Sequence, residues 1–293
     1  MTHQTAESSS AKDESKIPDR SIFLPGGRTG ILLIHGLGGT PIEMKMTARG
    51  LNRAGFTVYC CQLAGHCGTE ADLLATGWQD WYASTEAALT RLKADCDVVL
   101  TGGLSMGAML ALMLAARHPE QVDGCLCFAP TLWYDGFSLP WTRIFLRPLF
   151  WTPMGQRYRF IEHEPYGVKD ERIRAAIVKA LHSGDSAEAG LLGTPSQSLQ
   201  QFWKMIDVIK KQLKSIKVPV FIAHAREDDI ASIKNAIYLQ KNLGGTVDML
   251  VLDDCYHLVT IDRQRDIVID RAISFTNFLA SRIKRPARSI AAE

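Results

Sequence analysis

Gly103-Leu104-Ser105-Met106-Gly107 follows the apolar run Val98-Val99-Leu100 and opens a helical pattern from Met106 to Arg117, closed by His118-Pro119. A Gly-x-Ser-x-Gly pattern between a strand and a helix has a steric logic. The turn is so sharp that the serine points outward, and only glycine fits two residues to either side. The helix N-terminus behind the serine offers partial positive charge and open backbone N–H groups, which suit a developing oxyanion. The bare pattern occurs by chance. The strand before it and the capped helix after it decide against a mere small-residue turn.

Upstream, Ile31-Leu32-Leu33-Ile34 is a continuous apolar run, as expected of a strand buried on both faces, and His35-Gly36-Leu37-Gly38-Gly39 follows it. Pro41 to Ala54 reads as a helix, with Thr40 as N-cap, Pro41 at its first position and Gly55 at its end. Phe56 to Cys61, Asp97 to Leu100 and Gly124 to Phe128 read as strands, and Trp78 to Lys93 as a helix. This alternation predicts βαβ units and a mainly parallel sheet. After Ala129-Pro130 it stops. From Thr131 to about Ser215 no strand-like run is visible, and Phe137 to Phe160 is dense in aromatic and basic residues. Helices are expected at Asp170 to Leu181 and Ser198 to Leu213. The alternation resumes with strand Val218 to Ala223, helix Ser232 to Asn242, strand Val247 to Leu252 and a last helix from Asp262 to Ile283. The expectation is a split core (21–130 and 216–284) around a helical cap insertion (131–215), with a disordered tail at 1–20 and a flexible one at 285–293.

The 293 residues, 46% apolar and 22% charged, describe an ordinary globular chain long enough for a substantial core. A net charge of +2 argues against nucleic acid or an anionic membrane as the main partner. No transmembrane or signal-peptide run is present, and the Lys284, Arg285, Arg288 cluster reads as a solvated end. Seven scattered cysteines lack zinc-site spacing. Cys60, Cys61, Cys125 and Cys127 lie in strand-like runs, where a thiol is a small hydrophobe. Reduced thiols, a cytoplasmic location and no metal are the expectation.

A serine hydroxyl needs a base, and the base a group to orient it. Of eight histidines, His3 lies in the tail, His163 and His182 in the insertion, His118 at a helix end, and His224 ends a strand. His257 follows a strand and precedes the last helix, which places it at the carboxyl edge of a parallel sheet, where ligand groups gather. Glu227, Asp228 and Asp229 supply acids in the right order, Ser–acid–His. Charge runs are usually solvated, so two of these three are expected to face water. The oxyanion donors expected are the N–H groups of Met106 and of Leu37, in the glycine-rich loop after the first strong strand. That loop lacks both Gly-x-Gly-x-x-Gly and a Walker lysine, so it is not a phosphate cradle.

The chain resembles the α/β-hydrolases of the bacterial carboxylesterase and monoacylglycerol lipase group. The resemblance is carried by Leu33-Ile34-His35-Gly36-Leu37-Gly38-Gly39-Thr40-Pro41, Gly65-His66, Thr76-Gly77-Trp78-Gln79-Asp80-Trp81, the Ser105 turn, and Cys255-Tyr256-His257-Leu258-Val259-Thr260-Ile261-Asp262. It implies an α/β-hydrolase fold, a mainly parallel sheet with helices on both faces and an inserted helical cap. In that group the acid stands a set distance beyond the proline that opens its strand, and from Pro219 this lands on Asp228. The chain departs from the group at Cys67 and Cys255, and its cap is longer and more aromatic.

The resemblance implies a cofactor-free serine hydrolase that cleaves a carboxylic ester with an apolar acyl group through an acyl-enzyme. Ser105 is then the nucleophile, His257 the base and Asp228 its partner. Trp141, Phe145 and Phe150 are expected to hold the acyl chain, unless the cap aromatics merely pack on the core. Arg143 and Arg147 are expected at the rim, where an acyl carrier protein or a lipid surface is a candidate partner beside the small ester itself. Two rivals stand: a thioesterase releasing acyl chains from a carrier or coenzyme A, and a slow-turnover binding or sensor protein on the same fold.

Overall fold

The computed structural model describes residues 17–139, 146–161, 163–182, 190–191 and 193–283. Trp141, Arg143, Phe145, the expected tail at 285–293 and most of that at 1–20 lie outside these residues. The chain runs β1 (Ile22–Leu24), β2 (Thr29–Ile34), α1 (Lys45–Arg53), β3 (Thr57–Cys61), α2 (Glu70–Leu74), α3 (Trp78–Asp95), β4 (Val98–Leu104), α4 (Met106–Arg117), β5 (Gly124–Phe128), α5 (Leu146–Phe150), β6 (Arg159–Ile161), α6 (Glu171–His182), β7 (Gly193–Pro195), α7 (Ser196–Gln212), β8 (Val220–Ala225), α8 (Lys234–Asn242), β9 (Val247–Leu252) and α9 (Arg265–Arg282).

Seven strands form one sheet in the order β1-β3-β2-β4-β5-β8-β9. Only β1 runs antiparallel to its neighbour. The central strands β2, β3, β4, β5 and β8 are mainly apolar and almost wholly buried because both faces are covered. In β2, Leu32 and Ile34 pack with α3, α4 and α7, while Ile31 and Leu33 pack with α1 and α9 on the opposite face. The cysteines obey the same alternation: Cys125 and Cys127 enter the first of these layers, Cys60 the second. All seven are free and buried, and burial pushes the Cys61 and Cys125 thiols up to about 12.

Two details differ from the sequence expectation. The helix expected from Pro41 begins as a 3-10 turn, Pro41–Met44, with the Thr40 hydroxyl accepting the Ile42 N–H, before α1 proper. The segment expected to lack strands holds a two-stranded antiparallel ribbon, β6 with β7. Its strands are three residues each and one contains Gly193 and Pro195, too short and too irregular to show a period of two. The ribbon does not join the main sheet. Register places the carboxyl ends of β2, β4, β5, β8 and β9 along one edge, with Ile34 opposite Gly103, Leu104 opposite Phe128 and Ala225 opposite Leu252. The site is built on that edge.

Candidate active site

Ser105 stands between the last residue of β4 and the first of α4 with φ 56° and ψ −114°, a backbone conformation that L-residues rarely adopt. The flanking glycines are sterically compelled. A Cβ on Gly107 would lie 2.1 Å from the Ile34 carbonyl oxygen, and one on Gly103 2.5 Å from the same atom. The Ser105 N–H donates to the Phe128 carbonyl at 2.9 Å, which ties the elbow to β5. Its hydroxyl donates to Thr131 Oγ1 at 3.1 Å, and the Thr131 hydroxyl donates to the Ala129 carbonyl at 3.2 Å.

His257, buried in the loop after β9, turns Nδ1 toward both oxygens of Asp228, 2.8 Å from Oδ2 and 3.0 Å from Oδ1. A carboxylate only accepts, so Nδ1 carries the hydrogen and Nε2 is the basic nitrogen of the neutral ring. Asp228 is itself locked, because Oδ1 accepts the N–H groups of Ile230 (2.9 Å) and Ala231 (2.7 Å). Burial alone would raise its carboxyl. The attraction and hydrogen bond of His257, with help from His224 and the Ala231 N–H, outweigh burial and hold it below the usual carboxylate range. His224, at the end of β8, has Nε2 3.4 Å from Asp228 Oδ2 and donates to the Ala231 carbonyl at 2.8 Å.

Only one of the three neighbouring acids faces water, not two. Glu227 is exposed and pairs with Lys169 at 3.2 Å. Asp229 is fully buried: its carboxylate accepts the backbone N–H of His257 at 3.2 Å and of Gly167 at 3.0 Å. Those two donors come from far along the chain, which explains why local charge patterning points the wrong way.

The loop His35–Gly39 lies against the elbow, where a Cβ on Gly36 would sit 3.8 Å from Ser105 Cβ. His35 props it from beneath. Its Nε2 accepts the Leu63 N–H at 3.2 Å, so Nδ1 carries the hydrogen and donates to the Gly36 carbonyl at 2.9 Å. Burial keeps this imidazole far below its usual pKa, hence neutral. Leu37, Ser105 and His257 line one cavity of about 940 Å³. Met106 is buried and opens α4, so its N–H is among those without a partner inside the helix.

Helices α6 and α7 supply the far wall. Ile173, Ile177 and Leu181 are spaced along one face of α6, and Leu199, Trp203 and Ile206 along one face of α7. Of the aromatic residues expected at the substrate, Trp141 and Phe145 lie outside the described residues. Phe150 is fully buried, lines the cavity and stacks on Tyr158 and Trp203 at 5.4 and 5.8 Å. Phe137 and Trp151, from the same aromatic stretch, are more than half exposed and not in the cavity wall.

Thr131 and Glu43 are not among the residues that the sequence singles out, and Asp229 is singled out there only as a candidate acid. Thr131 directly follows Ala129-Pro130 at the end of β5, on the edge where site residues gather. Glu43 had a legible signal, the capping-box spacing Thr40-Pro41-Ile42-Glu43. Among the described residues no cluster of His, Cys, Asp or Glu is arranged to hold a metal, and no helix is long and apolar enough to cross a membrane.

A family model described as serine aminopeptidase, S33 (Hydrolase_4) matches residues 27–264. The chain belongs to this family. It is 28% identical over 254 residues to a thermostable monoacylglycerol lipase of Bacillus sp. (strain H-257), covering 86% of this chain and 92% of that protein. It is 22% identical over 245 residues to a carboxylesterase of Bacillus subtilis (strain 168), covering 83% and 90%. Among solved structures, one described as LipS and LipT, two metagenome-derived lipolytic enzymes, superposes with a TM-score of 0.75 at 27% identity, covering 88% of this chain and 97% of that one. The fold is that of the α/β-hydrolases, and within this family the chain groups with lipases and carboxylesterases.

Proposed function

We propose that this protein is a serine carboxylic-ester hydrolase acting on esters with an apolar acyl group, with Ser105, His257 and Asp228 as its catalytic triad. The observation that carries this reading is an outward serine on a strained elbow sharing one cavity with an imidazole anchored by a buried carboxylate. Ser105 attacks the ester carbonyl while His257 Nε2 takes its proton. Asp228 keeps the ring in the reactive tautomer and stabilises the imidazolium that forms. The N–H groups of Leu37 and Met106 receive the oxyanion. The imidazolium then protonates the departing alkoxide, and water repeats the sequence on the acyl-enzyme. No cofactor is required.

The insertion at 131–215 acts as a cap whose α6 and α7 faces, with Phe150, bind the acyl chain. Burying one methylene contributes about 0.8 kcal/mol, so kcat/KM should rise by up to about fourfold per added carbon until the chain meets the wall. Esters of four to twelve acyl carbons, about the span the α7 face suggests at 1.5 Å rise per residue, are the measurement. Ala180→Phe, on the cavity face of α6, should cut kcat/KM for the long esters about tenfold while sparing the short ones. An unchanged length profile would remove α6 from the acyl site.

The family description names a peptidase, while the curated relatives above are a lipase and a carboxylesterase; aminoacyl anilides turned over faster than esters would reverse the ester reading. Carrier-bound thioesters belong in the same comparison, because the acyl carrier partner rests on cap arginines. A cytoplasmic location is part of the same proposal.

A further inference from the structure

Glu43 stands in the wall of the catalytic cavity with no part in the reaction just described. Its Oε2 accepts the Gly36 N–H at 3.1 Å, and the Thr40 N–H is near enough to draw the pKa of the same carboxyl down. These two N–H groups bracket the loop that carries Leu37. Gly39 is shaped around the same group, since a Cβ there would lie 2.0 Å from Glu43 Oε1. The carboxyl is also near the nucleophile: the Cβ position of Gly36 lies 3.6 Å from Glu43 Oε2 and 3.8 Å from Ser105 Cβ. On the other side, the Glu43 carbonyl accepts the Thr260 hydroxyl at 3.2 Å, joining this turn to the loop of His257. The helix-start spacing Thr40-Pro41-Ile42-Glu43 accounts for a carboxyl that faces Thr40. It does not account for the bond across the loop to Gly36.

We propose that Glu43 is the positioning residue of the oxyanion loop, its carboxyl holding the Gly36 N–H from across the loop and lying close against Gly39, so that the intervening Leu37 N–H is held toward the oxyanion. The proposal rests on the ester-hydrolase reading and assigns to that reaction a residue that touches no reacting atom. The carboxylate presents an acceptor to the Gly36 N–H with either oxygen, whereas the neutral acid can turn its O–H toward that donor and break the bond. Charge therefore matters. Burial raises the Glu43 carboxyl to about 7, against the lowering pull of the Gly36 N–H, His257 and the Thr40 N–H. The titratable groups that act on it are His257 after β9 and Cys67 after β3, while Lys45 at the start of α1 and Arg265 at the start of α9 line the same cavity.

The test compares Glu43→Ala and Glu43→Gln with the parent, on a soluble medium-chain ester. A clasp that acts only in the transition state is read in kcat, not in KM. Glu43→Ala should lower kcat at least 30-fold with KM within about threefold, and Glu43→Gln, which keeps one acceptor, should recover kcat to within about fivefold of the parent. The acid limb of the kcat/KM profile should fall through two ionisations in the parent and one in Glu43→Gln. Stability gives an independent readout. A carboxyl raised from its ordinary 4.5 to about 7 loses stabilising influence as pH rises through that window, so Glu43→Gln should melt above the parent at pH 8 and close to it at pH 5. Parent-like kcat in the alanine variant, or a glutamine variant that is folded yet as slow as alanine, overturns the proposal. A parent that neither hydrolyses esters nor reacts with a fluorophosphonate at Ser105 overturns the underlying reading and this one with it.

Discussion

Ser105→Ala is expected to lower kcat by roughly 10³-fold or more, about 4 kcal/mol of transition-state stabilisation, with the fold and KM for substrate nearly unchanged. The size follows from chemistry. Without the hydroxyl there is no covalent intermediate, and what remains is water attacking a carbonyl polarised by the oxyanion donors. The fold survives because the exchange keeps Cβ and therefore keeps the elbow, whose strain lies in the backbone at φ 56°. The hydroxyl's bond to Thr131 is a single partly buried hydrogen bond worth about 1 kcal/mol, and Thr131 retains the Ala129 carbonyl as its acceptor. A serine-directed fluorophosphonate, followed by peptide mass spectrometry, should label Ser105 in the parent and nothing in the variant. Label at another serine, or turnover within tenfold of the parent, would remove Ser105 as nucleophile.

The parts of this architecture that sequence discloses are those governed by local sterics. The glycines around Ser105 are dictated by carbonyls a few ångströms away, the continuous apolar runs by burial on both sheet faces, and Thr40-Pro41 by helix-start chemistry. Each leaves its mark within a few residues. The order of strands puts Leu37, Ser105, the Asp228 region and His257 on one edge, and the βαβ rhythm suffices to infer that edge. What sequence does not disclose is decided by partners distant in the chain. Asp229 sits in an acidic run that reads as solvated, yet it is buried because the Gly167 and His257 N–H groups, 62 and 28 residues away, converge on it. Glu43 stands in the sequence as an ordinary acid of a first helical turn, and its reach to Gly36 is visible only once the loop has folded back. The described aromatic residues between Phe137 and Phe160 share no single orientation. Phe150 is fully enclosed and Trp151, its neighbour, carries Lys204 over an exposed ring. Composition cannot separate these two.

Asp228→Asn should cost roughly 10³- to 10⁴-fold in kcat, and its neighbour shows why this is more than the loss of a buried charge. Asparagine keeps the size of the side chain and one oxygen. That oxygen is already engaged on the structural side, where Ile230 and Ala231 donate to Oδ1 at 2.9 and 2.7 Å. The amide NH₂ then faces His257 Nδ1, forcing Nδ1 to accept and moving the hydrogen to Nε2. An imidazole protonated at Nε2 cannot take the proton of Ser105, so the defect falls on the base while the loop around residue 230 stays capped. Asp229→Asn makes the converse trade. Its carboxylate accepts two backbone N–H groups and touches neither ring nitrogen, so the amide leaves one buried N–H facing a donor, at a cost of about 1–3 kcal/mol in stability. The melting temperature should therefore fall by several degrees while kcat at 25 °C stays within about tenfold of the parent. Measured side by side, kcat and thermal midpoint should separate the two substitutions cleanly, activity lost at 228 and stability lost at 229. If the large loss of kcat follows Asp229 instead, the acid that orients His257 is misassigned, and the hydrogen bond at 2.8 Å is a structural contact rather than a catalytic one.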